Sequence, residues 1–137
     1  MVQTHEPSFG RFTVLLADVQ DPWHATVSQL LLPQGVRTVS VRSGREALSV
    51  LEQTQVHVAV LDADMPQLGG LQVLKRLQSL PSAPPAILVA RQLSAHLLHE
   101  ALGLRVFSVL GKPVDFNQLL DALARVMRRH YEGRWPG

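Results

Sequence analysis

The strongest constraint on this chain is periodic. Five short apolar runs alternate with amphipathic stretches from one end to the other. The runs are Phe12–Ala17 (FTVLLA), Val36–Val41 (VRTVSV), Val56–Leu61 (VHVAVL), Ala86–Ala90 (AILVA) and Val106–Leu110 (VFSVL). Runs this short and this apolar suit strands buried on both faces. VRTVSV alternates strictly, which suits a strand with one more exposed face. The stretches between them carry apolar residues at helical spacing. Val27, Leu30 and Leu31 lie in Pro22–Leu32, which Pro33-Gln34-Gly35 stops. Ser43 with Glu46 three residues on predicts a capping box, opening a helix that buries Ala47, Leu48 and Leu51. Leu71, Val73, Leu74, Leu77 and Leu80 give the next helix, and Ser94–Leu102 another. Asp115 caps the last, with Leu119, Leu120, Leu123, Val126 and Met127 on one face. Five βα units predict an α/β fold with a doubly wound, five-stranded parallel sheet.

The 137 residues support one core without staples. The expected division is an N-terminal tail over 1–11, a domain over 12–130 and a C-terminal tail over 131–137. The chain has no cysteine, which excludes disulfides, a zinc ribbon and a thiol nucleophile. No apolar run approaches the roughly 20 residues of a membrane span. The start, MVQTHEPSFGR, has no apolar signal core, so the expected location is cytoplasmic, with no membrane contact.

In a parallel sheet, ligands bind at the carboxyl ends of the strands, so the polar residues there carry the functional signal. Strand one ends in Asp18, followed by Val19, Gln20 and Asp21. Strand three ends in Asp62, followed by Ala63, Asp64, Met65 and Pro66. Strand four ends in Ala90 and Arg91, and strand five in Gly111, Lys112 and Pro113. Two carboxylates and an ammonium are therefore expected to converge on one edge. Carboxylate oxygens suit a hard cation such as magnesium. A carboxylate can also act as a nucleophile toward phosphorus, with a cation offsetting the charge repulsion. Each residue alone has a plainer role as a cap, an Asx-type turn or a loop lysine. Their joint placement raises the functional reading.

At these residues the chain resembles the receiver domain of two-component response regulators, the CheY-like family with a flavodoxin-like (βα)5 sheet in the order 2-1-3-4-5. The motifs are VLDADMPQLGGLQVL at 60–74, SGREAL at 43–48 and GKP at 111–113. The resemblance implies a phosphoaspartate switch. Asp62 would accept phosphate from a sensor histidine kinase or phosphotransfer protein. Mg2+ would be held by Asp18, Asp62 and the backbone carbonyl of Asp64. Lys112 would contact the phosphoryl group or the carboxylate, and the Lys112-Pro113 peptide would be cis. Output would pass to a downstream protein partner, with a homodimer through helix 4, strand 5 and helix 5 also implied.

Three positions depart from the family pattern. Val19 stands where a second acid is usual, which weakens the metal site; Asp21 or the side chain of Asp64 is the candidate replacement. Ala90 stands where a hydroxyl is usual. Val109 stands at the aromatic switch position, with Phe107 expected to share its side-chain parity. These departures leave an alternative open: a phosphorylation-independent pseudo-receiver that works as a protein-binding module.

An enzyme is the third class. Asp62-Ala63-Asp64 resembles the D-x-D of haloacid-dehalogenase-type phosphatases, but that motif belongs to a first strand and needs later acids. Between Asp64 and Lys112 the only acid is Glu100. The six histidines are scattered, and no H-E-x-x-H or G-x-S-x-G occurs. His96 and His99 share a helical face and read as solvated. The expectation is a non-enzymatic module.

Leu97, Leu98, Ala101 and Leu102 cannot all point inward from the fourth helix, so a partly exposed apolar stripe is expected. The sequence stops soon after the fifth helix, which suggests a stand-alone receiver, or one domain of a larger protein, with no DNA-binding domain. Residues 125–137 hold four arginines and one glutamate; the rest holds nine basic and ten acidic residues. The net charge of +2 thus describes the tail. Its arginines suit a helix C-terminus, and its aromatics, Tyr131 and Trp135, are expected to fold back on the domain. Eleven of the 13 cations are arginines. One of the two lysines falls at 112, where a compact ammonium suits a phosphoryl pocket.

Overall fold

The five apolar runs become five strands. In the computed structural model, which describes residues 12–19 and 23–131, they are β1 (Phe12–Ala17), β2 (Val36–Val41), β3 (Val58–Asp62), β4 (Ala86–Ala90) and β5 (Ser108–Gly111). The helices are α1 (His24–Leu31), α2 (Gly44–Gln53), α3 (Gly70–Leu77), α4 (Ala95–Gly103) and α5 (Phe116–Tyr131). The strands pair in parallel in the order β2-β1-β3-β4-β5.

Each position of β1, β3 and β4 is buried, and the period of two sorts their side chains between two helical layers. Phe12, Val14, Leu16, Val58, Val60, Ile87 and Val89 pack against Val27 and Leu31 of α1 and Leu119, Leu123 and Met127 of α5. The intervening Leu15, Ala17, Ala59, Leu61 and Leu88 pack against Ala47, Leu74 and Ala101 from α2, α3 and α4. On the edge strand β2, Val36 and Val41 are buried while Arg37 and Ser40 are exposed; Val36 packs on the α1–α5 side and Val41 on the other, so the strict alternation expected of this strand does not hold.

Several local expectations shift. β3 starts at Val58 and runs through Asp62 rather than spanning 56–61. β5 starts at Ser108 because Arg105 turns left-handed, at φ 62°, and the Val106 N–H closes α4 by donating to the Ala101 carbonyl. Phe107 therefore precedes the strand, and the parity with Val109 fails. Phe107 packs on the α1–α5 side and Val109 on the other. Leu80 falls outside α3, its N–H donating to Leu77 in the following turn. Leu51 is half-buried. Ser43 Oγ accepts from the Glu46 N–H at 3.1 Å. Glu46 Oε1 accepts from Arg42 rather than from Ser43, so the capping box is displaced by one residue.

Two contacts frame the sheet edges. At the carboxyl edge, a Cβ on Gly70 would lie 2.6 Å from Leu88 Cδ1 and 2.9 Å from the Asp62 carbonyl oxygen. Glycine thus lets α3 start directly against the end of β3. At the opposite edge, His57 Nδ1 accepts from the Thr13 N–H at 3.0 Å. The Tyr131 hydroxyl donates to the His57 carbonyl at 2.8 Å. The rings of Phe12, His57 and Tyr131 meet edge to face, with centroids 5.0 to 5.7 Å apart.

Candidate functional site

Parallel pairing brings the ends of β1, β3 and β5 to one edge. The sheet register sets Asp62 beside Val89 and Ala90 beside Gly111. The Lys112 N–H then continues the ladder to the Ala90 carbonyl at 2.9 Å. The Lys112-Pro113 peptide is cis.

Asp18, Asp62 and Lys112 come together as their placement at the strand ends predicts. Lys112 Nζ lies 3.1 Å from Asp18 Oδ2 and 2.9 Å from Asp62 Oδ1. Both carboxylates are buried. Burial alone would lower the Lys112 pKa; the hydrogen bonds to Asp62 and Asp18, with their charges, outweigh it and hold the ammonium above its ordinary value. Asp62 Oδ1 also accepts from the Asp64 N–H at 2.9 Å, an Asx-type turn that aims the loop after β3. The plain and functional readings of this segment are therefore the same geometry.

The Asp64 carboxylate points elsewhere. Its Oδ2 accepts from the Arg91 N–H at 3.0 Å and lies 3.8 Å from Arg91 Nε. Arg91 engages the side chain proposed as a substitute acid for Val19, because β4 ends beside it. Asp21, the other proposed substitute, lies outside the described residues. Val19 lines the cleft, 38% exposed, and adds no oxygen ligand. Ala90 ends β4 as a buried methyl group. Among the described residues, no group of three His, Asp or Glu side chains is arranged to hold a metal ion.

These groups open into a cleft of about 840 Å³. Asp18, Asp62, Asp64, Arg91 and Lys112 form its polar part, and Trp23, Val19, Pro66, Val114 and Phe116 its apolar part. Sequence reasoning missed Trp23, whose indole N–H donates to Asp18 Oδ2 at 3.2 Å. The available signal was a tryptophan five residues after Asp18 at a helix start, since a buried indole N–H requires an acceptor.

Other expected features lie away from the cleft. His96 is exposed and 3.3 Å from Glu100, and His99 is exposed. On α4, Ala101 is buried and Leu97 half-buried, while Leu98 and Leu102 are exposed, Leu102 by 71%. Arg128 and Arg129 are exposed in the last turn of α5. Arg134 and Trp135 lie outside the described residues.

A family model described as the response regulator receiver domain matches residues 14–124. The chain belongs to that family of two-component signalling domains. It is 28% identical over 115 residues to the regulatory protein AtoC of Escherichia coli K12, covering 84% of this chain and 25% of AtoC. It is 31% identical over 127 residues to the response regulator GtcR of Aneurinibacillus migulanus, covering 90% of this chain and 51% of GtcR. The chain thus spans a quarter to a half of the length of these relatives. The receiver domain of an HD domain-containing protein from Pseudomonas fluorescens Pf-5 superposes with a TM-score of 0.81 at 26% identity, covering 89% of this chain and 98% of that one. A CheY-like receiver from Methanospirillum hungatei JF-1 shares the fold, with a TM-score of 0.80 at 20% identity over 90% of this chain and 99% of that one. No helix among the described residues is long and apolar enough to cross a membrane.

Proposed function

We propose that this domain is a phosphorylation-dependent receiver with Asp62 as its acceptor. The phosphodonor is a sensor histidine kinase or a phosphotransfer protein, and the output is a contact with a downstream protein. In this reading the domain acts in the cytoplasm as a signalling module without turnover of its own. One observation carries the proposal: the Lys112 ammonium holds Asp62 and Asp18 together, at 2.9 and 3.1 Å, at the floor of an open cleft.

Asp62 Oδ1 is engaged by Lys112 and the Asp64 N–H, so attack falls to Oδ2. A bond forms from Oδ2 to phosphorus as the bond from phosphorus to the donor breaks. The electron pair leaves with the donor, which takes up a proton. Lys112 orients the carboxylate and offsets negative charge on the transferring group. Asp18 holds Lys112 from the other side, and Trp23 fixes Asp18.

The donor set suits a hard divalent cation, because magnesium is commonly held by one or two carboxylates, with phosphate and water oxygens completing its shell. Asp18, Asp62 and the Asp64 backbone carbonyl would hold it. When bound, it would supply charge neutralisation between the carboxylate and the phosphoryl group. Val19 contributes nothing to that shell, so weak affinity is expected.

The test is acetyl phosphate with magnesium, read by intact mass. The expected result is a gain of one phosphoryl group that Asp62→Asn abolishes. No gain in the unmodified protein, together with no response to beryllium fluoride, would refute the reading in favour of a phosphate-independent binding module.

A further inference from the structure

Two cations line the cleft among the described residues, and they are held very differently. Lys112 is committed. Its side chain is 18% exposed, and it bonds two carboxylates at 2.9 and 3.1 Å. Arg91 is 74% exposed, and its Nε is 3.8 Å from Asp64 Oδ2. The same oxygen takes the Arg91 backbone N–H at 3.0 Å. The backbone bond therefore fixes the residue at the rim, while the guanidinium rests on a long, solvated contact. Exposed pairs of this kind contribute about 0–1 kcal/mol, so little opposes the side chain's departure.

The charge balance gives it somewhere to go. Asp18, Asp62 and Lys112 sum to one negative charge, or to one positive with the divalent cation of the proposed site, and phosphorylation makes either sum more negative. A phosphoryl group on Asp62 replaces one negative charge with up to two. Ala90, at the end of β4, has no donor to offer it. Arg91 is the next residue, just past the end of β4, the strand adjacent to β3, and two positions beyond Val89, the register partner of Asp62. Strand spacing and rise put the two Cα atoms on the order of 8 Å apart, a separation an arginine side chain spans. A planar guanidinium also presents two parallel N–H donors to phosphate oxygens, which an ammonium does not.

We propose that Arg91 is the second cationic contact for the phosphoryl group, leaving Asp64 as that group arrives on Asp62. The inference rests on the reading of Asp62 as acceptor. It makes the Asp64–Arg91 pair an exchangeable latch across the ends of β3 and β4. It also names a donor that replaces, in this chain, the missing hydroxyl of position 90.

Calorimetric titration with beryllium fluoride in the presence of magnesium tests it, because the probe forms a phosphoryl-like adduct on an aspartate. Arg91→Ala is expected to weaken apparent affinity about tenfold, the loss of one charge-assisted contact. Arg91→Lys is expected to recover part of the loss, since it keeps the charge without the fork. The exposed side chain makes the urea midpoint of both variants a control that should not move. If the unmodified protein binds and Arg91→Ala binds within about twofold of it, the role of Arg91 is overturned while that of Asp62 stands. If the unmodified protein does not bind at all, both fall together.

Discussion

β1 and β3 end in opposite chemistries. At their carboxyl ends, Asp18 and Asp62 meet Lys112 under an open cleft. At their amino ends, Phe12 and Thr13 meet His57 and Tyr131 in an aromatic cluster closed by two hydrogen bonds. The first edge holds like charges close together, with an ammonium bonded to both. Among the described residues the second brings no like charges together, and its polar groups lie against apolar rings. The strands between them are uniformly buried, so they transmit position rather than charge. Local conflict between like charges is expected where a protein does chemistry. On the function proposed above, the carboxyl edge is the working edge and the amino edge a clamp.

The largest effect that separates the two edges should come from the clamp. Phe12 is buried between the His57 and Tyr131 rings and reaches into the α1–α5 core. Phe12→Ala removes that ring and leaves a cavity, with an expected loss of about 3–5 kcal/mol by urea unfolding. The folded fraction should still gain a phosphoryl group from acetyl phosphate at the rate of the unmodified protein. A change in that rate per folded molecule would break the division of labour between the edges.

The working edge should cost somewhat less stability and all of its function when its cation is removed. Lys112→Met keeps the volume but removes the ammonium bonded to two buried carboxylates, with an expected loss of about 3 kcal/mol at neutral pH. Adding Asp18→Asn should return part of that loss, since it removes one of the two like charges; strict additivity would show that the charges do not interact. The pH dependence has a defined sign. Lys112 holds its proton more tightly in the folded protein. Its contribution is therefore complete below the unfolded lysine value of about 10.4 and is lost as pH rises through the folded value. The difference in unfolding free energy between the unmodified protein and Lys112→Met should shrink above that pH and stay flat around neutrality.

The contrast between the edges also explains what could be read in advance. Wholly apolar runs are dictated by burial on both faces, so β1 and β4 were legible to the residue; the bounds of the edge strand β2 were legible too, but its pattern of burial was not. The starts of β3 and β5 were not, because they depend on how the preceding segment closes, as Arg105 and Val106 do for α4. Asp18, Asp62 and Lys112 were legible because parallel topology alone brings strand ends together. The direction of the Asp64 carboxylate was not. It is set by the Arg91 N–H, a backbone group whose position follows from the ladder and not from its residue type. Trp23 was missed although its acceptor, Asp18, lies only five residues back. Tyr131 folds back on the domain as expected, but its acceptor, the His57 carbonyl, is a distant backbone group that no residue type names. Phe107 misled because alternation was extended past the point where the strand exists.

The smallest effect is the most discriminating. Tyr131→Phe keeps the ring against Phe12 and His57 and removes only the hydroxyl that donates to the His57 carbonyl. The expected loss is about 1 kcal/mol, one neutral hydrogen bond at a half-buried site. The calorimetric response to beryllium fluoride should be unchanged, because no charge moves and the strands stay in register. His57 sits immediately before β3, five residues from Asp62, so any slip of β3 released at the clamp would arrive at Asp62. An altered beryllium fluoride affinity in Tyr131→Phe would therefore mean that the clamp tunes the working edge through β3. An unaltered affinity at reduced stability means that the two ends of the same strand act independently.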